Sequence, residues 1–244
     1  MGSFNEQYVI ITGGTRGIGA GIAKSFLEKG AHVLVTYSGN DAAAEAFITA
    51  NSDYKEKITT AKFDVSNYDE VEAFFKELPI PQVDILVNNA GIRKDNIVGM
   101  MDIRDWQQVI DINLTGSFNM SKFAVLEMMK KRYGRIINIT SPCSHFGFQG
   151  QSNYAASKAG QIGLMRSLSK EVAKRKITVN CVSPGFIGTE LIEDLPEALV
   201  KEYKASIPLK RFGTVEEVAS CVQFLASKES SYVTGTTIEV TGGL

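Results

Sequence analysis

The sequence predicts a single-domain α/β fold over residues 1–244, with a doubly wound, seven-stranded parallel sheet and helices on both faces. Three observations predict it. Strand-like and helix-like patterns alternate along the 244 residues, as they do in βαβ units. Several strand candidates are unbroken apolar runs, such as VDILVN and GRIINIT, which suit a parallel sheet covered on both faces. A glycine-rich turn follows the first strand, the place where such sheets receive ligands.

The elements follow in order. A strand is expected over 8–12 (YVIIT), then a helix over 18–29 that Gly30 stops. Strands at 31–37, 57–64 and 83–88 enclose helices at 41–51 and 68–77. One long helix is expected over 104–131, followed by a strand at 134–140 and a helix at 154–175. A strand at 178–183, a helix at 214–226 and a strand at 236–240 complete the set. Right-handed crossovers join them into one sheet. Residues 185–208 break the rhythm with GFIGTELIEDLPEALVKEYKASIP, including a short amphipathic piece at 196–205. A long insertion at the carboxyl edge of a parallel sheet reads as a substrate-covering segment, with a plain surface excursion as the alternative.

Composition narrows the function classes. Hydrophobic residues make up 44%, charged residues 22%, and the net charge is −1. No global basic field recruits nucleic acid. Three well-separated cysteines without a CxxC argue against a disulfide framework or zinc site. Cys181 and Cys221 read as small core residues, and Cys143, near Ser141, is a candidate thiol. No signal-peptide pattern opens the chain, and no apolar run reaches membrane-spanning length, so a cytoplasmic protein is expected. The only histidines are His32 and His145, and no histidine/carboxylate cluster suggests a metal.

The turn after the first strand reads Thr12-Gly13-Gly14-Thr15-Arg16-Gly17-Ile18-Gly19. Glycines there let the backbone approach a pyrophosphate, and the helix start supplies N–H groups and partial positive charge. The second strand ends in Val35-Thr36-Tyr37-Ser38, without the carboxylate that would bind ribose hydroxyls. Asp41 is expected to cap the next helix instead. Arg16 with Ser38 then favours a 2′-phosphate, hence NADP(H); a solvated loop arginine is the alternative. Asp64 either accepts from an adenine amino group or caps the following helix. Asn89, Ala90 and Gly91 end the fourth strand at the expected switch point, as a ribose site or as an ordinary turn.

Ser141, Tyr154 and Lys158 lie in SPCSHFGFQGQSNYAASK. Tyr154 and Lys158, four apart, share a helix face. A free phenol titrates at about 10. A neighbouring ammonium is expected to lower it toward working pH, which suits a general acid or base. Lys158 can also donate to ribose hydroxyls. The Ser141 hydroxyl can steady the oxygen of a reacting carbonyl. Hydride chemistry would belong to the nicotinamide. No GxSxG surrounds Ser141, so a hydrolase triad does not fit. His145, on the loop between Ser141 and Tyr154, is a candidate substrate contact, and His32 is expected to be structural.

TGGTRGIG, NNAG, Asn113 in DINL, Ser141, YAASK and Pro184-Gly185 together resemble the short-chain dehydrogenase/reductase family, over essentially the whole chain. The resemblance implies a Rossmann-type sheet and adds Asn113 to the catalytic set as the anchor of a relay water. It places Gly13, Thr15, Arg16, Gly17, Ile18, Gly19, Ser38, Asp64, Val65, Asn89–Gly91, Tyr154, Lys158, Pro184, Gly185, Ile187 and Thr189 around the cofactor. GIRKDNIVGMMDIRDW, MMKKRYGRII and VTGTTIEVTGG are similar to bacterial 3-oxoacyl-[acyl-carrier-protein] reductases. That similarity implies a homotetramer using NADPH. It also implies that Arg132 and Arg175, matching two arginines at the active-site mouth, meet an acidic carrier protein. The Ser141 loop departs from that pattern. His145, Phe146 and Phe148 add bulk where small residues are usual, and point to a polyketide or aryl polyene intermediate beside a fatty acyl chain. Acyl-CoA, a sugar or another small carbonyl is the alternative substrate, and a non-catalytic nucleotide-binding regulator is the alternative of another class.

Overall fold

A computed structural model describes residues 3–189 and 196–244. Seven strands form one sheet in the order β3-β2-β1-β4-β5-β6-β7, and every neighbouring pair is parallel. They are β1 (Tyr8–Thr12), β2 (His32–Tyr37), β3 (Ile58–Lys62), β4 (Ile85–Asn88), β5 (Gly134–Ile139), β6 (Ile177–Pro184) and β7 (Thr237–Val240). The order reverses between β1 and β4, so a crevice opens there at the carboxyl edge.

Side-chain alternation divides the core in two. Val9, Ile11, Val33, Val35, Ile85 and Val87 face one layer, with Ile22 and Phe26 of α1 (Gly17–Glu28) and Val218 and Val222 of α9 (Val215–Ala226). Ile10, Leu34, Leu86 and Ile136 face the other. There they meet Val71 of α3 (Tyr68–Lys76), Met120 and Met128 of α5 (Gly116–Lys131), and Ile162 and Met165 of α7 (Ser152–Val172). Both faces are covered, so the strands are mostly apolar along their length, and the polar side chains they do carry, such as Asn138 and Asn180, are buried. α2 (Asp41–Ala50) and α4 (Ile103–Ile110) complete the layers seen so far.

The expected helix over 104–131 is not continuous. α4 ends at Ile110, a π-helical turn spans Asp111–Thr115, and α5 begins at Gly116. The wider turn accommodates an extra residue between the two α-helical stretches, and with no glycine or proline inside it the sequence reads on as one helix. Its effect is to turn Asn113 fully inward, with no solvent exposure.

One expected cap moves, and one of the two readings of Asp64 falls away. Asn40, not Asp41, caps α2 through a bond accepted from the Ala43 N–H, and Asn67, not Asp64, caps α3. Asp64 instead accepts from the Ser66 N–H and hydroxyl at 2.8 and 2.7 Å.

Within the 185–208 segment, residues 190–195 lie outside the described residues. β6 leads into Ile187, which bridges to Gly213, and α8 (Glu197–Ser206) forms a short helix. Tyr203 of α8 stacks on Phe186 with ring centroids 4.6 Å apart, tying the helix to the carboxyl end of β6.

Candidate active site at the carboxyl edge

The β1–α1 turn is shaped for an anion. Arg16 occupies the N-cap position with extended backbone and no side-chain cap, and α1 has no acidic residue in its first turn. Its leading N–H groups therefore face outward without a side-chain partner. Gly17 takes φ +52, a conformation that favours glycine, and the space where a Cβ would stand is open. A Cβ on Gly19 would sit 2.3 Å from the Gly13 carbonyl oxygen, so only glycine lets helix and turn close.

Thr12 and Asn89 seam this turn to β4. The Thr12 hydroxyl accepts from the N–H groups of Asn89 and Ala90 at 3.0 and 2.9 Å. The Asn89 amide donates to the carbonyls of Thr12 and Gly13, both at 3.0 Å. Asn89 thus shapes the crevice and spends both side-chain donors on the turn. Gly91 continues into the crevice, where a Cβ would lie 3.6 Å from Lys158 Nζ and 3.2 Å from Asn113 Oδ1.

Ser141 follows β5; its hydroxyl accepts from the Cys143 N–H at 3.3 Å and lies near enough to the Tyr154 phenol, in the first turn of α7, to favour the phenolate. One α-helical turn further on, Lys158 is buried; its Nζ donates to the Ile139 carbonyl at 2.7 Å and to Gln161 Oε1 at 3.1 Å. Burial lowers this amine to about 8. The same cause, burial, raises the Tyr154 phenol, and the nearby Ser141 hydroxyl and Arg93 charge oppose it. The expected lowering of the phenol by Lys158 is therefore overturned in the free protein. The amine lies 5.6 Å from the ring centroid and is committed to other acceptors, so desolvation wins.

Asn113 closes the floor. Its Oδ1 accepts from the Ile92 N–H at 2.8 Å, and its Nδ2 donates to the Ile92 carbonyl and to Ser157 Oγ at 3.0 and 3.1 Å. Its backbone carbonyl accepts from Ser117 Oγ at 2.7 Å and from Gln161 Nε2 at 2.9 Å. A carbonyl has two lone pairs, and both are engaged. The water-anchoring role that resemblance implied for Asn113 finds no free acceptor on that carbonyl.

Other expected residues are placed less directly. Cys143 is buried and its thiol is pushed up by burial, which suits a core residue and not a nucleophile. His145, Phe146 and Phe148 are exposed beside Ser141, with His145 Nε2 3.9 Å from Glu239 Oε1. Ile187 is buried in the core, and its own amide and carbonyl are not used by the bridge to Gly213. Gly185 donates its N–H to the Val240 carbonyl at 2.9 Å. Val65 is buried, while Ser38 is exposed at the end of β2.

Two groups escaped the sequence reading. Lys62, opposite Tyr37 in the β2–β3 register, pairs with Asp41 at 2.7 Å, so a cation and a carboxylate flank the end of β2. Arg93 lies over the Tyr154 ring at 5.8 Å and pairs with Asp95. A strand-end lysine carries no motif, and Arg93 reaches Tyr154 only because β4 ends and α7 begins at the same edge.

Arg132 and Arg175 differ from expectation. Both are exposed and immediately precede β5 and β6, so they lie at the amino edge, opposite Ser141 and Tyr154. At about 3.3 Å per residue, the span of β5 alone separates the two edges by nearly 20 Å. The two basic runs do meet, since Arg132 Nη2 donates to the Lys174 carbonyl at 3.1 Å.

Comparison with known proteins agrees with the parallel sheet and its single-domain α/β architecture. A family model described as enoyl-(acyl carrier protein) reductase matches residues 13–244. The chain belongs to the short-chain dehydrogenase/reductase family. Members of this family depend on a nicotinamide dinucleotide. The 3-oxoacyl-[acyl-carrier-protein] reductase FabG of Aquifex aeolicus is 42% identical over 238 residues, covering 96% of each chain. That of Chlamydia muridarum is 42% identical over 241 residues, with 98% of this chain and 97% of the relative covered. That of Buchnera aphidicola subsp. Schizaphis graminum is 43% identical with the same coverage.

The buried amine generates a stability prediction. Folding lowers the Lys158 titration from 10.5 to about 8. The folded state therefore releases a proton that the unfolded chain still holds between those values. The cost of burying the charge is complete below pH 8 and fades as pH rises to 10.5. Each unit corresponds to about 1.4 kcal/mol, so wild type should gain up to roughly 3 kcal/mol relative to Lys158→Met across that window. Urea unfolding of both proteins at several pH values measures this. A difference that stays flat with pH would show that the amine is not desolvated.

Proposed function

We propose that the protein is an NADPH-dependent ketoreductase that converts a 3-oxoacyl thioester on an acyl carrier protein to the 3-hydroxyacyl thioester. The observation that carries the chemistry is the Ser141–Tyr154 hydroxyl pair beside the buried Lys158 amine, at the edge where the glycine turn ends. The substrate class rests on the relatives, each named a 3-oxoacyl-[acyl-carrier-protein] reductase and matched nearly end to end.

The crevice fits the cofactor. The uncapped start of α1, the open clearance at Gly17, and the backbone at Asn89–Gly91 suit pyrophosphate and ribose. When bound, the nicotinamide supplies the hydride. Ser141 donates a hydrogen bond to the substrate oxygen as negative charge grows on it. Tyr154 gives its hydroxyl proton to that oxygen. Lys158 holds the ribose hydroxyls and, as an ammonium, favours the phenolate left behind. Asp64, free of helix capping, accepts from the adenine amino group. Arg16, exposed and without an ion pair among the described residues, meets the 2′-phosphate near Ser38. Lys62 adds a second cation there and neutralises Asp41. α8 covers the acyl end of the substrate.

Association as a homotetramer has support in apolar side chains left at the surface: Ile103 of α4, Phe118 and Leu126 of α5, and Phe224 of α9 are at least 40% exposed. In such an assembly, carrier protein seated on Arg132 and Arg175 serves the pocket of a neighbouring subunit, because the pocket of the same chain opens at the other edge.

Tyr154→Phe should lower reduction of an acetoacetyl thioester by at least about 100-fold, the general-acid contribution, while NADPH affinity stays within a few-fold. Steady-state kinetics and NADPH fluorescence titration measure the two together. Activity within tenfold of wild type would remove Tyr154 from proton transfer.

NADPH should be preferred to NADH in kcat/KM. Arg16→Ala and Lys62→Ala should each erode that ratio by roughly tenfold, the effect of one lost charge-assisted phosphate contact. Equal use of the two cofactors by wild type would mean that Asp41 accepts a ribose hydroxyl instead.

Reversing Arg132 and Arg175 to Glu should lower kcat/KM on a carrier-bound substrate by about 10- to 100-fold, equal to about 1.4–2.8 kcal/mol. The loss should shrink at high salt and be small for a short CoA or N-acetylcysteamine thioester. Equal loss on both substrate types would make the arginines structural, and no loss would move the docking site elsewhere.

A further inference from the structure

Gln161 lies seven residues beyond Tyr154 and three beyond Lys158 on α7, so all three share the helix face that looks into the crevice. It is a full-length polar side chain with no solvent exposure. Both of its donors and one of its two oxygen lone pairs are engaged. Nε2 donates to the Asn113 carbonyl at 2.9 Å and to Ser117 Oγ at 2.6 Å, while Oε1 accepts from Lys158 Nζ at 3.1 Å. The orientation of the amide follows from chemistry, because the Asn113 carbonyl can only accept and the donor end must face it.

This places one side chain between Lys158 and Asn113, the residue that the family resemblance makes the anchor of a relay water. The Asn113 carbonyl is filled by Gln161 and Ser117, and the amine of Lys158 reaches Gln161 and the Ile139 carbonyl. We propose that Gln161 is a positioning residue that locks Lys158 to the π-helical turn at Asn113, so that the link between the two runs through protein atoms. A carboxamide does not gain or lose a proton at working pH, so Gln161 orients the amine and does not relay protons. The inference rests on the reading of Lys158 as the group that steadies the Tyr154 phenolate and the ribose.

The carboxamide oxygen also bears on the charge of the lysine, since an acceptor dipole favours the ammonium that burial disfavours. Few other titratable groups face this amine. Tyr154 lies on its own helix, and Cys181 of β6 carries a thiol pushed up to about 11 by burial. From β5, the Gly91 turn and the π-helical turn, the groups near it are the Ile139 backbone, Gly91 and Asn113.

The test compares wild type, Gln161→Met and Gln161→Glu, each verified as folded by circular dichroism. Two measurements are made. One is the pH profile of kcat and KM for a 3-oxoacyl thioester with saturating NADPH. The other is the titration of the Lys158 side chain by NMR in lysine-labelled protein without cofactor, with the resonance identified by its loss in Lys158→Met. Gln161→Glu places a carboxylate beside the amine and should move its titration up by about one unit or more. Gln161→Met removes the acceptor and should move it down. In Gln161→Met, kcat near pH 7.5 should fall about tenfold or more while KM changes less than about threefold, with the loss following the amine titration. A Lys158 titration unmoved in the folded variants, or kcat of Gln161→Met within twofold of wild type, would overturn the proposal. If Gln161→Met does not fold, the direction of the shift in Gln161→Glu decides. If wild type does not reduce the thioester, the substrate reading falls, and the NMR titration still decides the role of Gln161.

Discussion

The amine of Lys158 sits where water does not reach it, and a buried ammonium must be hydrogen-bonded or lose its proton. Much of the centre can be understood from that constraint. The carbonyl of Ile139, at the end of β5, and the amide of Gln161 supply acceptors. The π-helical turn swings Asn113 inward to hold Gln161 from the other side. Three elements distant in sequence are thereby locked around one nitrogen, and burial still leaves it near 8, within reach of working pH. Pairing raises the charged form and desolvation lowers it; here desolvation prevails by a margin small enough to keep the group titratable under physiological conditions.

A second constraint operates across the β1–β4 gap. Parallel strands at a switch point diverge, and their ends would leave unpaired backbone groups facing the crevice. Thr12 and Asn89 satisfy those groups with four hydrogen bonds between β4 and the glycine turn. The turn is thus held by side chains whose hydrogen bonds go to its own backbone and to β4. That leaves the amides at the start of α1 free, and it separates scaffolding residues from binding residues within a motif that looks uniform in sequence.

The two edges of the sheet carry different surfaces. The carboxyl edge gathers Ser141, Tyr154, Arg93 and the α8 helix, and the amino edge gathers the basic runs around Arg132 and Arg175. Within one chain a partner held by the basic edge is far from the hydroxyl pair. The apolar side chains exposed on α4, α5 and α9 make association the route by which the two edges of different chains would come together.

The fold class was legible from sequence because apolar runs and alternating periods are local properties of neighbouring residues. The glycine turn and the Ser141, Tyr154 and Lys158 set were legible because their chemistry demands fixed residue types at short spacing. Tertiary structure alone decided the rest. The π-helical turn hides inside an unbroken helical period. The capping roles of Asn40 and Asn67 over Asp41 and Asp64 depend on where each helix actually starts. The opposite shifts of Tyr154 and Lys158 depend on how much protein surrounds them, and Gln161 meets Asn113 only after α7 packs against the turn. Sequence records which groups are present at short range, whereas desolvation and long-range hydrogen bonding are set by what the folded chain brings against them.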